Sequence, residues 1–281
     1  MCGIQSLHEM IGKLDSASDT EFFALAADVE AKILRSREAG LLCQLAGIYR
    51  RRCLWNRGEG LLQEAMKLEP SAPEPYRSLG LLEMRRTDLP QDECLHRATE
   101  IFEQSIYLET LAGDCSPATH TLLGAAFLGL GRRDRAESEF RAALEIDSKY
   151  EEALFNLALL EADSDLAKAS SLLQQAVDID PQYAEAHREL GVVSQRQGNL
   201  EESEYHLRRA YELDPADYWA QMYLANLLGV QGRNKEAEQI YRFATTLRPE
   251  IKEGIEIFAR FLDSVGKTKE AANVRAHANL A

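Results

Sequence analysis

The sequence predicts an all-α fold built as a solenoid of helix-turn-helix units, and two observations carry this prediction. First, Leu and Ala are far more numerous than Val, Ile and Thr, a balance that favours helices over strands. Second, the chain resembles itself about every 34 residues, and residues 117–150, 184–217 and 218–251 align without a gap. We therefore expect stacked helical hairpins in place of two unrelated globular domains.

Each unit carries the same landmarks, and their physical roles indicate a helical hairpin. Small residues at the eighth and twentieth positions let two helix backbones approach, and a large apolar residue at the twenty-fourth position fills the space beside them. A Gly between the helices supplies a left-handed turn, and Asp-Pro ends the second helix. In 184–217 these landmarks are Leu190-Gly191, Gly198, Ser203, Leu207, Ala210 and Asp214-Pro215. In 117–150 they are Leu123-Gly124, Gly131, Ala136, Phe140, Ala143 and Asp147-Ser148.

These landmarks resemble the tetratricopeptide repeat family, whose pattern has Leu-Gly, an aromatic residue, Ala, Phe, Ala and Pro at fixed offsets. The resemblance implies a right-handed α-solenoid of about seven helix-turn-helix units. The repeats are 39–72, 73–116, 117–150, 151–183, 184–217, 218–251 and 252–281. The second repeat is longer than 34 residues, and we expect residues 87–96 to lengthen its turn and residues 109–116 to lengthen the following link.

Residues 1–38 lie outside the repeat register and predict an N-terminal helical cap. A capping signal at Ser18 to Thr20 precedes a helical pattern of apolar residues. The pattern comprises Phe22, Phe23, Leu25, Ala26, Val29, Ile33 and Leu34. At the other end, a weak face of Ala271, Ala272, Val274, Ala278 and Leu280 predicts a closing helix. A solenoid needs such caps because each end repeat otherwise exposes an apolar face to water.

Composition excludes several classes of protein. The chain has 32 Lys and Arg against 46 Asp and Glu, a net charge of -14, so nucleic acid is not the expected partner. Neither a membrane-spanning run nor a leader sequence is recognisable, and we expect a cytoplasmic protein. The five cysteines are odd in number and form no C-x-x-C pair, which predicts free thiols without a disulfide framework or zinc module.

Motifs for chemistry are weak. The start, Met1-Cys2-Gly3-Ile4, resembles that of class II glutamine amidotransferases, but residues 5–14 predict helix where those enzymes have a strand. The sequence contains no H-E-x-x-H motif, calcium loop or phosphate-binding loop. His120 and His187 occupy the same repeat position and are expected to be structural. We therefore predict a non-enzymatic protein without a cofactor or metal.

The resemblance also implies where a partner binds. In this family the first helices of successive repeats line a concave groove, with positions 2, 5, 9, 12 and 13 pointing into it. The partner-binding residues predicted in this way are Arg50, Arg51, Arg77, Arg85, Phe155, Arg188, Arg196, Trp219, Met222 and Asn226. Other groove positions hold Met84, Thr121, Ala125, Leu128, Leu159, Gln195, Glu253, Glu256 and Arg260.

Two parts of this predicted groove have a distinct character. Residues 34–86 are basic, whereas residues 87–281 are strongly acidic. Guanidinium groups suit carboxylates and phosphates, so the basic part favours an acidic or phosphorylated peptide; a merely solubilising arginine face is the alternative. Trp219 beside Met222 is a candidate apolar anchor for a partner side chain, or else a tryptophan folded back between helices.

The function predicted is that of a protein-interaction scaffold or adaptor that binds a partner peptide or helix in the groove. Three alternatives stay open. The first is self-assembly, in which a terminal repeat docks into another copy of the chain and gives a homo-oligomer. The second is a regulatory subunit of an enzyme encoded as a separate chain. The third is an RNA-binding helical repeat using the Arg50 to Arg86 surface, which the net charge disfavours.

Overall fold

A computed structural model describes residues 2–278 of the chain and the side chains of residues 5–276. Residues 2–278 form sixteen α-helices and no strand. The first eight are α1 (Cys2–Ser16), α2 (Asp19–Ser36), α3 (Ala39–Arg51), α4 (Trp55–Leu68), α5 (Pro73–Arg85), α6 (Gln91–Ala112), α7 (Pro117–Gly129) and α8 (Arg133–Ile146). The second eight are α9 (Glu151–Glu161), α10 (Leu166–Ile179), α11 (Ala184–Arg196), α12 (Leu200–Leu213), α13 (Tyr218–Val230), α14 (Asn234–Leu247), α15 (Lys252–Ser264) and α16 (Thr268–Ala278).

The helices belong to two units, Met1–Ser148 and Lys149–Ala281. Within each unit, consecutive helices pack against each other, and several first helices of successive hairpins also touch. In the first unit α3 contacts α5 and α5 contacts α7; in the second unit α11 contacts α13 and α13 contacts α15. The all-α class and the repeated helical hairpins are therefore confirmed, and each unit presents a surface made of first helices.

Close packing at the eighth repeat position explains the glycine there. A Cβ atom added to Gly124 would lie 2.5 Å from Phe140 Cε1, and one added to Gly80 would lie 2.5 Å from Phe102 Cε1. Both phenylalanine rings are fully buried. The aromatic ring thus occupies the volume that a side chain on the first helix would need, which holds the two helices close together.

The turns between the two helices of a hairpin require a left-handed residue. Gly131, Gly198, Gly232 and Gly266 have φ values between 70° and 86° at this position. In the first repeat the position belongs to Cys53, whose φ is 57°. Because an L-amino acid pays a steric cost in this region and Gly does not, the first repeat carries local backbone strain that the others avoid.

The residues before the first repeat form two helices, α1 and α2, which pack against each other and against α3. The predicted capping signal is present, since the Glu21 side chain accepts hydrogen bonds from the Ser18 backbone N–H (3.1 Å) and Oγ (2.7 Å). Phe22, Ala26, Val29 and Ile33 are buried, whereas Phe23, Leu25 and Leu34 are exposed. Only part of the predicted apolar set therefore packs. The side chain of Cys2, and Leu280 of the predicted closing face, lie outside the described residues.

Much of the two insertions in the second repeat is helix. The turn at residues 86–90 is longer than the corresponding turns at 52–54 and 130–132, as expected. The link at 113–116 is no longer than those at 69–72 and 147–150, so the expectation of a lengthened link is wrong. Helix α6 includes residues 91–96 and 109–112, so only residues 86–90 and 113–116 lie outside helices. The extension at its end is stabilised by Glu109, which is 1% exposed and accepts hydrogen bonds from Thr119 Oγ1 (2.5 Å) and the Ser116 backbone N–H (3.0 Å). These bonds tie the last turns of α6 to the start of α7.

Candidate functional site

The basic surface of the first unit centres on Arg50, at the end of α3. Arg50 is half-buried, and Arg85, at the end of the neighbouring helix α5, is exposed. Burial, and then the charges of Arg51 and Arg85, lower the pKa of Arg50 below that of an ordinary arginine. Arg50 and Arg85, two predicted groove residues on the adjacent first helices α3 and α5, therefore lie near each other.

Arg51 and Arg52 have a different role from Arg50, because both bind the N-terminal helices. Arg51 Nη2 lies 2.5 Å from Asp15 Oδ1. Arg52 Nη1 lies 2.5 Å from Asp19 Oδ1, and its guanidinium group stacks over the Phe22 ring at 4.2 Å. Asp15 and Asp19 lie outside the repeat register, so the repeat pattern gave no sign that the Arg51 charge is already neutralised.

Arg77 is half-buried and is likewise occupied within the protein. Its Nη1 atom lies 3.7 Å from Oε1 of Glu109, the buried carboxylate that joins α6 to α7. A guanidinium group beside a buried carboxylate offsets the cost of burying that charge. Arg77 therefore contributes to the junction of these helices, which limits what it can offer to a partner.

In the second unit, Arg188 on α11 is held by internal contacts. Its Nη1 atom lies 2.5 Å from Asp217 Oδ2, and its Nε atom lies 3.0 Å from Glu189 Oε1. Arg196, at the end of the same helix, is exposed and has no carboxylate partner among the described side chains. Of these two predicted arginines, only Arg196 has a guanidinium group that is not already paired.

The predicted apolar anchors separate into surface and core residues. Trp219 is half-buried, with its ring centroid 5.3 Å from that of Tyr218 and 6.1 Å from that of Tyr223. Phe155 is half-buried and lies 5.1 Å from Tyr183, measured between ring centroids. Met222 is only 2% exposed and packs in the core, so the expectation that it lies on the groove surface is corrected. Three residues along an α-helix leave Met222 rotated by about 60° from Trp219 around the helix axis, and on this side of α13 the side chain packs against its neighbours.

A cavity of about 410 Å³ opens on the first-helix surface of the second unit, between α13 and α15. It is lined by Asn226, Gly229, Val230, Tyr241, Ile257, Arg260, Phe261 and Ser264. Asn226 and Arg260 were expected at groove positions, and the structure brings them to one cavity. Val230, which is 63% exposed, was missed, although it occupies the thirteenth repeat position that identifies the other groove residues.

Asn226 is held in a defined orientation at the edge of this cavity. Gln195 Nε2, on α11, donates a hydrogen bond to Asn226 Oδ1 (3.2 Å). A polar side chain that a neighbour already orients loses less conformational freedom when a ligand binds, which lowers the entropic cost of binding.

A second cavity, of about 600 Å³, lies beside α10 and α12. His187 and His206 line it, together with Tyr205, Arg209, Asp178 and Glu212. Each of the two histidines is 5% exposed, and their Nδ1 atoms lie 3.0 Å apart. This pair connects α11 to α12 in a position where the third repeat has His120 and Glu139, whose Nδ1 and Oε2 atoms lie 2.8 Å apart.

In the described part of the chain, no group of three or more His, Cys, Asp or Glu side chains is arranged to hold a metal ion. None of the helices described combines the length and the apolar character that a membrane crossing requires.

Comparison with known proteins identifies the repeats. The sequence model of the tetratricopeptide repeat matches residues 121–184, 159–218 and 196–250. No curated protein sequence matches the chain.

Several solved structures match the chain at low sequence identity, and the first two named below share its fold. The APC/C hetero-tetramer Cut9-Hcn1 matches with a TM-score of 0.70 and 11% identity, over 90% of this chain and 48% of that one. The C-terminal part of a TPR repeat-containing protein from Cytophaga hutchinsonii matches with a TM-score of 0.56 and 12% identity, over 83% of this chain and 93% of that one. YrrB, described as a TPR protein with an unusual peptide-binding site, has a TM-score of 0.45 and 21% identity, over 68% of this chain and 94% of that one. Residues 121–250 therefore belong to the tetratricopeptide repeat family, and the described helices before and after them form further stacked hairpins.

Proposed function

We propose that the protein is a non-enzymatic interaction scaffold, and that the first-helix surface of its second unit binds a peptide or helix of a partner protein. The observation that carries this proposal is the cavity between α13 and α15. Its volume, about 410 Å³, is within the range of sites that enclose a small ligand or a large side chain.

The lining of the cavity suits an apolar anchor from the partner. Ile257 and Phe261 are half-buried within it, and Val230 stands largely exposed beside them. An apolar side chain that enters the cavity would remove the exposed part of these groups from water, which favours binding. Gly229 keeps the cavity open, because a Cβ atom there would already lie 3.2 Å from the Phe261 ring.

Polar groups around the cavity favour an extended peptide or a helix over a small apolar molecule. Asn226, Arg260 and Ser264 lie at its edge, and Arg196 offers an unpaired guanidinium group at the end of α11, which packs against α13. Amide, hydroxyl and guanidinium groups pair with backbone groups and acidic side chains of a peptide. We therefore infer a partner segment with one large apolar residue and an acidic residue nearby.

Selection from a random peptide library tests this proposal. Wild-type protein and two variants, Val230→Glu and Phe243→Glu, are each used to select binders from the same displayed library. Val230→Glu adds a charge at the cavity. Phe243→Glu is the matched control, since Phe243 is 52% exposed on α14, away from the cavity lining.

We expect the wild type and Phe243→Glu to enrich the same peptides, with a common large apolar residue, and Val230→Glu to lose them. Equal enrichment by all three proteins would contradict the proposal.

Self-assembly makes a different prediction, namely a concentration-dependent oligomer of the wild type that Val230→Glu converts to a monomer, measured by light scattering. A regulatory subunit would bind through the same surface, and the identity of the natural partner would distinguish it from an adaptor.

A further inference from the structure

Arg50 differs from the other buried or half-buried arginines of the described chain in its lack of a carboxylate partner. Among the described side chains, every other arginine that is buried or half-buried lies within 4 Å of a carboxylate oxygen. These arginines are Arg52, Arg77, Arg86, Arg97, Arg188, Arg208, Arg209 and Arg275. Arg50 has no such partner within the part of the chain that the structure describes, although the chain carries 46 acidic residues. A partly desolvated cation without a counter-charge is unfavourable, and an anion from outside the chain would relieve it.

The charges around Arg50 make the surface more positive. Arg85, at the end of α5, also lacks a carboxylate partner among the described side chains, and α5 packs against α3. Arg51 adds a third guanidinium group nearby, and Asp15 compensates for it. Three positive charges and one negative charge leave an excess of about two, which matches the charge of a phosphate monoester near neutral pH.

We propose that Arg50 and Arg85 form a binding site for the phosphate group of a phosphorylated segment of a partner protein. The inference rests on the proposed function, since it takes the protein to be a scaffold, but it uses a different surface in the other unit. Each guanidinium group offers a planar fork of N–H donors, and a phosphate dianion has enough acceptor oxygens for both forks.

A phosphorylated segment fits these observations better than a nucleic acid does. A nucleic-acid surface repeats its positive charges along the backbone it contacts, whereas residues 87–281 are strongly acidic. Arg50 and Arg85 lie at the ends of the neighbouring helices α3 and α5, and two adjacent guanidinium groups suit one dianionic group. A carboxylate carries a single charge, so we expect it to bind the same two arginines more weakly.

Binding of fluorescent peptides tests the inference. The probes are a degenerate peptide library with a fixed central phosphoserine and the same library with serine or with glutamate at that position. The proteins are the wild type, Arg50→Gln, Arg85→Gln and the control Arg35→Gln. Arg35 is exposed on α2 and has no carboxylate partner among the described side chains, so its removal changes the net charge in the same way.

We expect the wild type to bind the phosphoserine library about tenfold more tightly than the serine library, with glutamate in between. Arg50→Gln and Arg85→Gln should each remove most of this preference, and Arg35→Gln should leave it within about twofold. Arg50→Gln should also leave the melting temperature unchanged or raise it, because it removes a shielded charge that has no partner. A lower melting temperature with an unchanged phosphoserine preference would show a structural role and overturn the inference.

Three further outcomes would also overturn it. Equal binding of the phosphoserine and serine libraries would exclude a phosphate site. Stabilisation by inorganic phosphate without a preference for phosphoserine peptides would indicate a site for the free anion only. Binding of polyuridylate that Arg50→Gln abolishes would indicate a nucleic-acid surface. Val230→Glu is included as a separate arm: it should leave phosphoserine binding intact, so failure at the cavity and failure at the arginine pair are distinguishable.

Discussion

The imidazole rings of His187 and His206 stack between α11 and α12 with their Nδ1 atoms 3.0 Å apart. His187 Nε2 lies 3.3 Å from the Pro181 carbonyl oxygen, which can only accept a hydrogen bond. His187 therefore carries its proton on Nε2, and its Nδ1 atom accepts a hydrogen bond from Nδ1–H of His206. This arrangement requires His187 to be neutral, and burial favours the neutral form of His206, so the contact joins two helices through groups that are sensitive to protonation.

The histidine pair predicts a loss of stability at acidic pH. Burial lowers the pKa of both imidazoles, that of His206 to about 4. Since an unfolded histidine has a pKa near 6.5, the unfolded state binds more protons between about pH 6.5 and 4, and stability falls as the pH decreases through this range. We expect His206 to account for roughly 2 to 3 kcal/mol of this loss by pH 4.5.

Denaturant unfolding of the wild type and His206→Asn at several pH values measures this contribution. The asparagine amide can donate a hydrogen bond to His187 and does not titrate. Arginine and lysine partners lower the pKa of carboxylates such as Glu236 and Glu238, so protonation of these groups at acidic pH also destabilises the folded protein. This destabilisation is the same in the wild type and in His206→Asn. The difference between the two proteins isolates the histidine, and identical pH dependence would contradict the prediction.

The contact between Tyr218 and Gly254 predicts that a single methyl group will disrupt the second unit. A Cβ atom on Gly254 would lie 1.5 Å from the Tyr218 hydroxyl oxygen, and Tyr218 is 3% exposed. We expect Gly254→Ala to lower the free energy of unfolding by about 1 to 3 kcal/mol, because a packed side chain has to move. Gly60→Ala is the control: Gly60 lies in α4 with no atom near its Cβ position, and helix propensity predicts a gain of about 0.5 to 1 kcal/mol. A loss in both variants would contradict the steric explanation.

The left-handed turn at Cys53 predicts a stabilising substitution. Cys53→Gly should raise the melting temperature, since Gly adopts a φ of 57° without the steric cost of about 1 to 2 kcal/mol that other residues pay. The reverse substitution, Gly198→Ala, should be destabilising by a similar amount, because Gly198 has a φ of 86° and open space around its Cβ position. Thermal unfolding followed by circular dichroism gives both values, and a lower melting temperature of Cys53→Gly would refute the prediction.

The buried carboxylate of Glu109 predicts that Arg77 is needed for stability. Glu109→Ala removes the acceptor of three hydrogen bonds, from Ser105, Ser116 and Thr119. It also leaves Arg77 without its partner, so we expect a loss of about 3 to 5 kcal/mol. Arg77→Gln should cost less, because the hydrogen bonds to Glu109 remain. Equilibrium unfolding measures both, and an equal loss, or none, would contradict this account of the junction between α6 and α7.

The repeat pattern predicted the helical hairpins, and it assigned Arg50, Arg85, Asn226 and Arg260 to the first helices on which they lie. It did so because packing of each hairpin on the next fixes the same positions in every unit. It could not predict which charges are already neutralised. Arg51 is paired with Asp15 from outside the repeats, and Arg188 is paired with Asp217, the N-cap residue of α13. The cavity between α13 and α15 depends on how closely Gly229 and the Phe261 ring pack where the two helices touch, which the sequence alone does not determine.

The affinity of one display-selected peptide for a cavity-filled variant tests the central claim most directly. Ser264 lines the cavity, and its hydroxyl donates to the Phe261 carbonyl oxygen (2.7 Å). Thr246, exposed on α14, makes the corresponding bond to the Arg242 carbonyl oxygen (2.8 Å) and provides the control. We expect Ser264→Trp to raise the dissociation constant of the peptide by about tenfold or more, and Thr246→Trp to leave it within about twofold of the wild-type value. Unchanged affinity in Ser264→Trp, with the helical content of both variants preserved, would contradict the claim that this cavity binds the partner.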